Sequence, residues 1–139
     1  MQIRLFQPQD QDAVIQLWQA CGLVRTWNDP AQDIARKLQV QPELFLVGTV
    51  RGVLMASVMA GYEGHRGWVN YLAVAPAHQR NAHARTLMQE VERLLLARGC
   101  PKVNLQIRSS NAQVIAFYKA IGYAQDDVVS MGRRLIVDQ

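Results

Sequence analysis

The chain is short of several things that would have fixed its class at once. Only two cysteines occur in 139 residues, Cys21 and Cys100, too far apart to make a disulfide framework or a metal-ligand pattern. No apolar run approaches the roughly 20 residues that cross a bilayer, and the opening MQIRLFQPQD lacks the basic and apolar regions of a signal peptide. A reduced, cytoplasmic protein with no membrane partner is therefore expected. No glycine-rich run ends in Gly-Lys-Ser/Thr, and no Gly-x-Gly-x-x-Gly follows a strand, so the Walker loop and the dinucleotide fingerprint are both excluded. The net charge is only +4, and arginines alternate with acids such as Glu90, Glu92, Asp126 and Asp127. That balance suits an anionic ligand or nucleic acid and selects neither. What the chain has is apolar content, 50% of its residues, enough for one compact core. With no repeat, linker or low-complexity segment, residues 1–139 are expected to form a single domain.

Hydrophobic spacing gives the elements. Ile3 and Leu5 mark a short first strand. Asp10 or Asp12 can cap a helix carrying Val14, Leu17, Trp18 and Cys21 on one face, with Gly22 at its end. Asp29 caps a second helix, Pro30 takes its first position and Gln32 completes a capping box. Residues 44–50 and 53–60 form strands around an Arg51-Gly52 hairpin turn. The glycine-rich GYEGHRG at 61–67 turns the chain into a strand over 68–74. A helix then buries Ala84, Leu87, Met88, Val91, Leu94 and Leu95 and stops at Gly99. Val103, Leu105 and Ile107 alternate with polar residues as a half-buried strand. Asn111 caps a last helix with Val114, Phe117, Tyr118 and Ile121 inward, and 123–137 closes with one or two strands. Hairpins make the early strands antiparallel, while a helix between the fourth and fifth makes that pair parallel. The fold class is α/β with a mixed sheet of six to seven strands and about four helices.

Residues 70–93, NYLAVAPAHQRNAHARTLMQEVER, organise the rest. A strand closed by Pro76 leads through a small, polar loop into a helix, where converging backbone N–H groups and the helix dipole favour an anion. Arg80 and Arg85 add charge at the same end. The loop Gln79-Arg80-Asn81-Ala82-His83-Ala84 resembles the Gln/Arg-x-x-Gly-x-Gly/Ala signature of GNAT-family N-acetyltransferases, with Ala82 where the family has its first glycine. Asn111 followed by Phe117-Tyr118-Lys119-Ala120-Ile121-Gly122-Tyr123 is similar to the family's Asn…FYxxxGF/Y segment. The order of elements matches over nearly the whole chain, and GHRG at 64–67, WNDP at 27–30 and ARGCPK at 97–102 look like the small bacterial YpeA-type members.

The resemblance implies an acetyl-CoA-dependent N-acetyltransferase acting by direct transfer, with CoA as product and no metal. It implies that backbone groups of Leu72, Ala73 and Val74 pair with the pantetheine arm as an added strand would, that N–H groups from Gln79 through Arg80, Asn81, Ala82 and His83 to Ala84 hold the pyrophosphate beside Arg85, and that Asn111 lies near the thiol. Tyr118 is implied as general acid, a phenol that stays protonated near neutral pH. On periodicity alone Tyr118 reads as a core tyrosine with its hydroxyl satisfied, the acid role resting on the motif match, and Asn111 reads as a plain helix cap. Many members carry a glutamate base on the fourth strand; the corresponding residue here is Asn70, which cannot act as one. Glu63 and His65, near the turn into that strand, are the base candidates, and each also reads as a solvated turn residue. His83 stands where the family has an aliphatic residue. Arg25, Trp27 and Asn28 are expected to line the acceptor site for a peptide or small-molecule amine, and a homodimer is compatible. Two other readings stand beside this one: a catalytically silent acyl-CoA-binding module, and a nucleic-acid-binding domain using Arg80, Arg85, Arg93 and Arg98. A glycine at position 82 is expected to tighten acetyl-CoA binding, because the alanine Cβ opposes positive φ.

Overall fold

The computed structural model describes residues 1–138. Backbone contacts divide the chain into two compact units, Met1–Leu105 with Asp138, and Gln106–Val137.

The first unit holds a five-stranded sheet in the order β1 (Gln2–Leu5), β2 (Phe45–Val50), β3 (Val53–Tyr62), β4 (Gly67–Val74) and β5 (Val103–Leu105). The first three pairings are antiparallel and β4–β5 is parallel. Three helices cover it: α1 (Gln11–Ala20), α2 (Pro30–Lys37) and α3 (His83–Ala97). Residues 45–49 of β2 and 55–60 of β3 are buried without interruption, the pattern of strands covered on both faces. Val14, Leu17 and Trp18 of α1 and Ile34 of α2 pack with Phe6, Phe45, Val47, Met59 and Ala73. Leu87, Met88, Val91 and Leu95 are the buried stripe of α3.

Local sequence accounts for most boundaries. Arg51 and Gly52 both take positive φ, 53° and 78°, the backbone of a two-residue hairpin whose twist matches its strands. Gly67 is required for a different reason: a Cβ there would meet Cys100 Sγ at 2.9 Å and Leu95 Cδ1 at 3.0 Å. The glycine-rich segment is shorter as a turn than its composition suggests, because β3 runs on to Tyr62 and β4 starts at Gly67.

Two caps differ from expectation. Asp10 does not cap α1 with its side chain. Its carboxylate instead receives both guanidinium nitrogens of Arg4, at 2.7 and 2.9 Å, and the Gln7 N–H at 2.9 Å, a charge-assisted set that outcompetes a single cap bond. Asp29 does cap α2, accepting from Ala31 N at 2.9 Å and Gln32 N at 3.3 Å. No capping box forms with Gln32: the Asp29 N–H donates to Asp138 at 3.4 Å.

In the second unit α4 (Ala112–Ala120) begins at Asn111, whose side chain accepts from Val114 N at 3.2 Å. The expected closing strands over 123–137 do not form, and β5 stops before Ile107, so the described residues hold five strands rather than six or seven. Val128, Val129 and Leu135 are 77%, 86% and 89% exposed. β-branched residues suit a strand only where a ladder and a buried face receive them, and these have neither.

Candidate active site

The loop after β4 has a geometry that its sequence only half reveals. Following a 3-10 turn at Pro76–His78, Arg80 takes φ 66° and Ala82 takes φ 62° with ψ 13°. Two left-handed residues in three bend the chain sharply into α3. Ala82 is thus the N-cap of the 15-residue helix, and it offers no side-chain cap. The contrast within the molecule is plain: α2 is capped by Asp29 and α4 by Asn111, whereas the first N–H groups of α3 have neither a side chain nor an intrahelical carbonyl to receive them. Such an end, with the dipole behind it, receives an anion. Arg80 and Arg85 are exposed beside it, and neither is in an ion pair among the described residues. Gln79 turns back, its Nε2 donating to the Val74 carbonyl at 3.0 Å, and ties the loop to the strand end. Thr86 donates to the Ala82 carbonyl through N at 3.0 Å and through Oγ1 at 2.9 Å.

β4 itself is irregular in a way that sequence reasoning missed. Its register against β3 slips between Ser57↔Ala73 and Met59↔Asn70, so that Tyr71 and Leu72 together face Val58. Tyr71 takes φ 55°. β5 pairs only with Gly67, Trp68 and Val69, so the edge of β4 from Asn70 to Val74 has no strand beside it among the described residues. Its backbone groups on that side are open to an extended ligand. At the end of this edge the Val74 carbonyl already accepts from Gln79 and from Cys21 Sγ, the latter at 3.3 Å.

Tyr71 draws together groups from four elements. Its ring stacks on Trp18, with centroids 3.8 Å apart, and its hydroxyl donates to Asp33 Oδ2 at 2.6 Å. Burial, and then the Asp33 carboxylate, push the phenol pKa well above its ordinary value, while a hydrogen bond from Asn28 opposes them. Arg36 bridges Asp33 at 3.3 Å and holds the buried Asp138 at 2.6 and 3.0 Å. Of the expected acceptor residues, Asn28 therefore meets β4; Trp27 is 48% exposed, and Arg25 accepts the Asn28 N–H on its carbonyl at 3.2 Å. No periodic pattern could have flagged Asp33 or Tyr71, since their meeting depends on the bulge.

Glu63 and His65 sit in the β3–β4 turn. Glu63 Oε1 accepts the His65 N–H at 2.6 Å and the Arg66 N–H as well, and these bonds, that from Arg66 foremost, hold its pKa below the usual carboxylate range. The turn precedes β4 while the anion loop follows it. At about 3.3 Å per residue, Tyr71 lies roughly 13 Å along the strand from Gly67. In the second unit Tyr118 is buried, edge-on to Phe117 and Tyr123 at centroid distances of 5.1 and 5.5 Å. Burial pushes its pKa up to about 12. Two of the arginines named for a nucleic-acid surface are engaged in ion pairs, Arg93 with Glu90 and Arg98 with Glu43. No helix among the described residues is long and apolar enough to cross a membrane.

Comparison with known proteins agrees with this architecture. The family model for the acetyltransferase (GNAT) family matches residues 10–123. A protein of Yersinia pestis named acetyltransferase is 49% identical over 100% of this chain and 99% of its own. The crystal structure of Ard1 from Thermoplasma volcanium, 26% identical, superposes with a TM-score of 0.77 over 88% of this chain and 82% of that one. A structure of AAC(6')-Iy in complex with the bisubstrate analog CoA-S-monomethyl-acetylneamine, 17% identical, gives a TM-score of 0.77 over 97% of this chain and 98% of that one. The fold is thus shared along nearly the whole chain, and the protein belongs to the GNAT family of acetyltransferases, an acyltransferase.

Proposed function

We propose that this protein transfers an acetyl group from acetyl-CoA to a primary amine, directly and without a covalent enzyme intermediate, and that residues 1–139 work as one catalytic domain. The observation that carries the reading is the uncapped N-terminus of α3, reached through two left-handed residues and flanked by Arg80 and Arg85. The AAC(6')-Iy structure, a complex with a CoA conjugate, supports CoA as the group such an end accepts. Acetyl-CoA supplies an activated acyl group as a thioester. N–H groups from Gln79 to Ala84 would hold its pyrophosphate, and the open edge of β4 at Leu72 and Ala73 its pantetheine arm. Asn111 would sit near the thiol. The substitution forms a C–N bond and breaks a C–S bond; nitrogen gives up one proton and sulfur gains one. Tyr118, still a phenol at neutral pH, would donate to the sulfur as it leaves. Arg25, Trp27 and Asn28 would face the amine. Glu63 is committed to its own turn, and we assign neither it nor His65 a part in the reaction.

The test is binding, then turnover. Acetyl-CoA at 100 times its dissociation constant is expected to stabilise the fold by about 2.7 kcal/mol, read as a rise in melting temperature. No shift at millimolar acetyl-CoA and no heat on titration would overturn the reading. Binding without thiol release across a panel of amines would leave a silent acyl-CoA-binding module instead.

Ala82 supplies a second expectation. Ala82 holds the left-handed conformation, and we take the loop to keep it with and without cofactor, so that its strain falls on the free and bound states alike. Ala82→Gly should therefore change stability more than affinity, in contrast to the expectation from sequence. Relief of roughly 1–2 kcal/mol of backbone strain, less the extra entropy glycine gives the unfolded chain, leaves a gain of about 0.5–1 kcal/mol. Thermal unfolding should show a rise of about 2–4 °C. A lower melting temperature would mean the alanine is unstrained.

A further inference from the structure

The bulge of β4 is held in an unusual way. Left-handed backbone within a strand is ordinarily glycine's, because a Cβ opposes it. Here the residue is a tyrosine, and such a conformation persists only where the surroundings over-determine it. Three side chains do so. Ser57, with no exposed surface, donates its hydroxyl to the Tyr71 carbonyl at 2.9 Å. Tyr71 has no paired residue in the β3 register, and the hydroxyl supplies its carbonyl with a donor. The same oxygen accepts Trp18 Nε1–H at 2.8 Å. Trp18, also fully buried, lies flat against the Tyr71 ring. Asp33, from α2, takes the Tyr71 hydroxyl at 2.6 Å. One residue is thus gripped at its carbonyl, its ring and its hydroxyl from β3, α1 and α2.

The site of this grip suggests its purpose. The slip begins one residue beyond Val69, where the β5 ladder ends. The bulge turns the backbone of residues 70–72 at the point where the edge of β4 becomes open. We propose that Ser57, Trp18 and Asp33 are positioning residues that fix the Tyr71 bulge, and through it the strand edge on which the acyl end of the cofactor lies. This rests on the acetyl-transfer reading above. None of the three touches the cofactor; each acts through the backbone at Tyr71. Asn28 lies near enough to the same phenol to lower its pKa, so the grip also reaches the loop proposed to face the amine.

The experiment compares variants by amide hydrogen exchange of the free protein and by calorimetric titration with acetyl-CoA. Ser57→Ala removes the hydroxyl that serves both Trp18 and Tyr71. It is expected to speed exchange at residues 70–73 at least tenfold over the rest of the sheet, and to weaken acetyl-CoA binding about tenfold. Tyr71→Phe keeps the stacked ring, loses the hydroxyl that meets Asp33 and Asn28, and should weaken binding about threefold; it carries the test if Ser57→Ala fails to fold. Asp33→Asn retains an oxygen for the phenol and should bind within twofold of wild type, unlike Asp33→Ala. Val47→Ala, a core truncation on β2, should lose stability without changing affinity. Wild-type binding with Ser57→Ala and Tyr71→Phe unchanged would overturn the proposal alone, as would faster exchange spread evenly over the sheet. A wild-type protein that binds no acetyl-CoA would overturn the acetyl-transfer reading, and the proposal with it.

Discussion

Replacing Tyr118 by phenylalanine is expected to lower kcat by about 10²–10⁴-fold, the usual worth of a positioned acid, with the acetyl-CoA dissociation constant within about twofold of wild type. The ring packs edge-on against Phe117 and Tyr123, and phenylalanine keeps that packing, so the variant should fold. In the proposed reaction the hydroxyl acts only as charge develops on sulfur, and an interaction made only then appears in kcat and not in ground-state binding. Burial raises the phenol to about 12. The hydroxyl therefore remains a donor where an ordinary tyrosine, with a pKa near 10, would be half ionised. Between about pH 8 and 10 the wild-type rate should accordingly show no fall from ionisation of this group. Thiol release by the purified variant, measured with an amine that the wild type acetylates, decides the matter. Normal turnover would make Tyr118 a packing residue and place the acid elsewhere.

Trp18→Ala is expected to be the most destabilising single truncation in the first unit. The indole is fully buried, stacked at 3.8 Å on Tyr71 and at 6.4 Å on Phe45. Its loss opens a cavity and strands the Ser57 hydroxyl without its donor. Truncations of this kind cost about 3–5 kcal/mol, which for a chain of this size lowers the melting temperature by about 10–20 °C. Trp18→Phe, which keeps an aromatic ring against Tyr71, should lose clearly less. A thermal scan showing a fall of under about 3 °C for Trp18→Ala would mean that the surrounding side chains close over the space, and that α1 is not pinned to the sheet through this residue.

Most elements were legible because their signals are local. Asp29-Pro30, Arg51-Gly52 and Asn111 each specify a backbone geometry within three or four residues, and the apolar stripe of α3 repeats at the helical period. The parallel β4–β5 pair followed from a helix lying between those strands. The closing strands were misread because Val128, Val129 and Leu135 have the composition of a strand without the ladder or buried face that makes one. The capping carboxylate of Asp10 was misread because Arg4, on another element, competes for it.

The sequence by itself determined the family, the order of elements through α4 and the small polar loop ahead of α3, since all of these rest on residue types at fixed spacing along the chain. Only the tertiary structure decided that Ala82 and Arg80 are left-handed and that α3 goes uncapped. It alone decided that β4 slips register at Tyr71 and that Trp18, Ser57 and Asp33 converge there. The physical reason is that backbone strain and register are settled by competition among distant groups: a tyrosine takes positive φ because contacts from three other elements outweigh its own preference, and no window of neighbouring residues contains that sum.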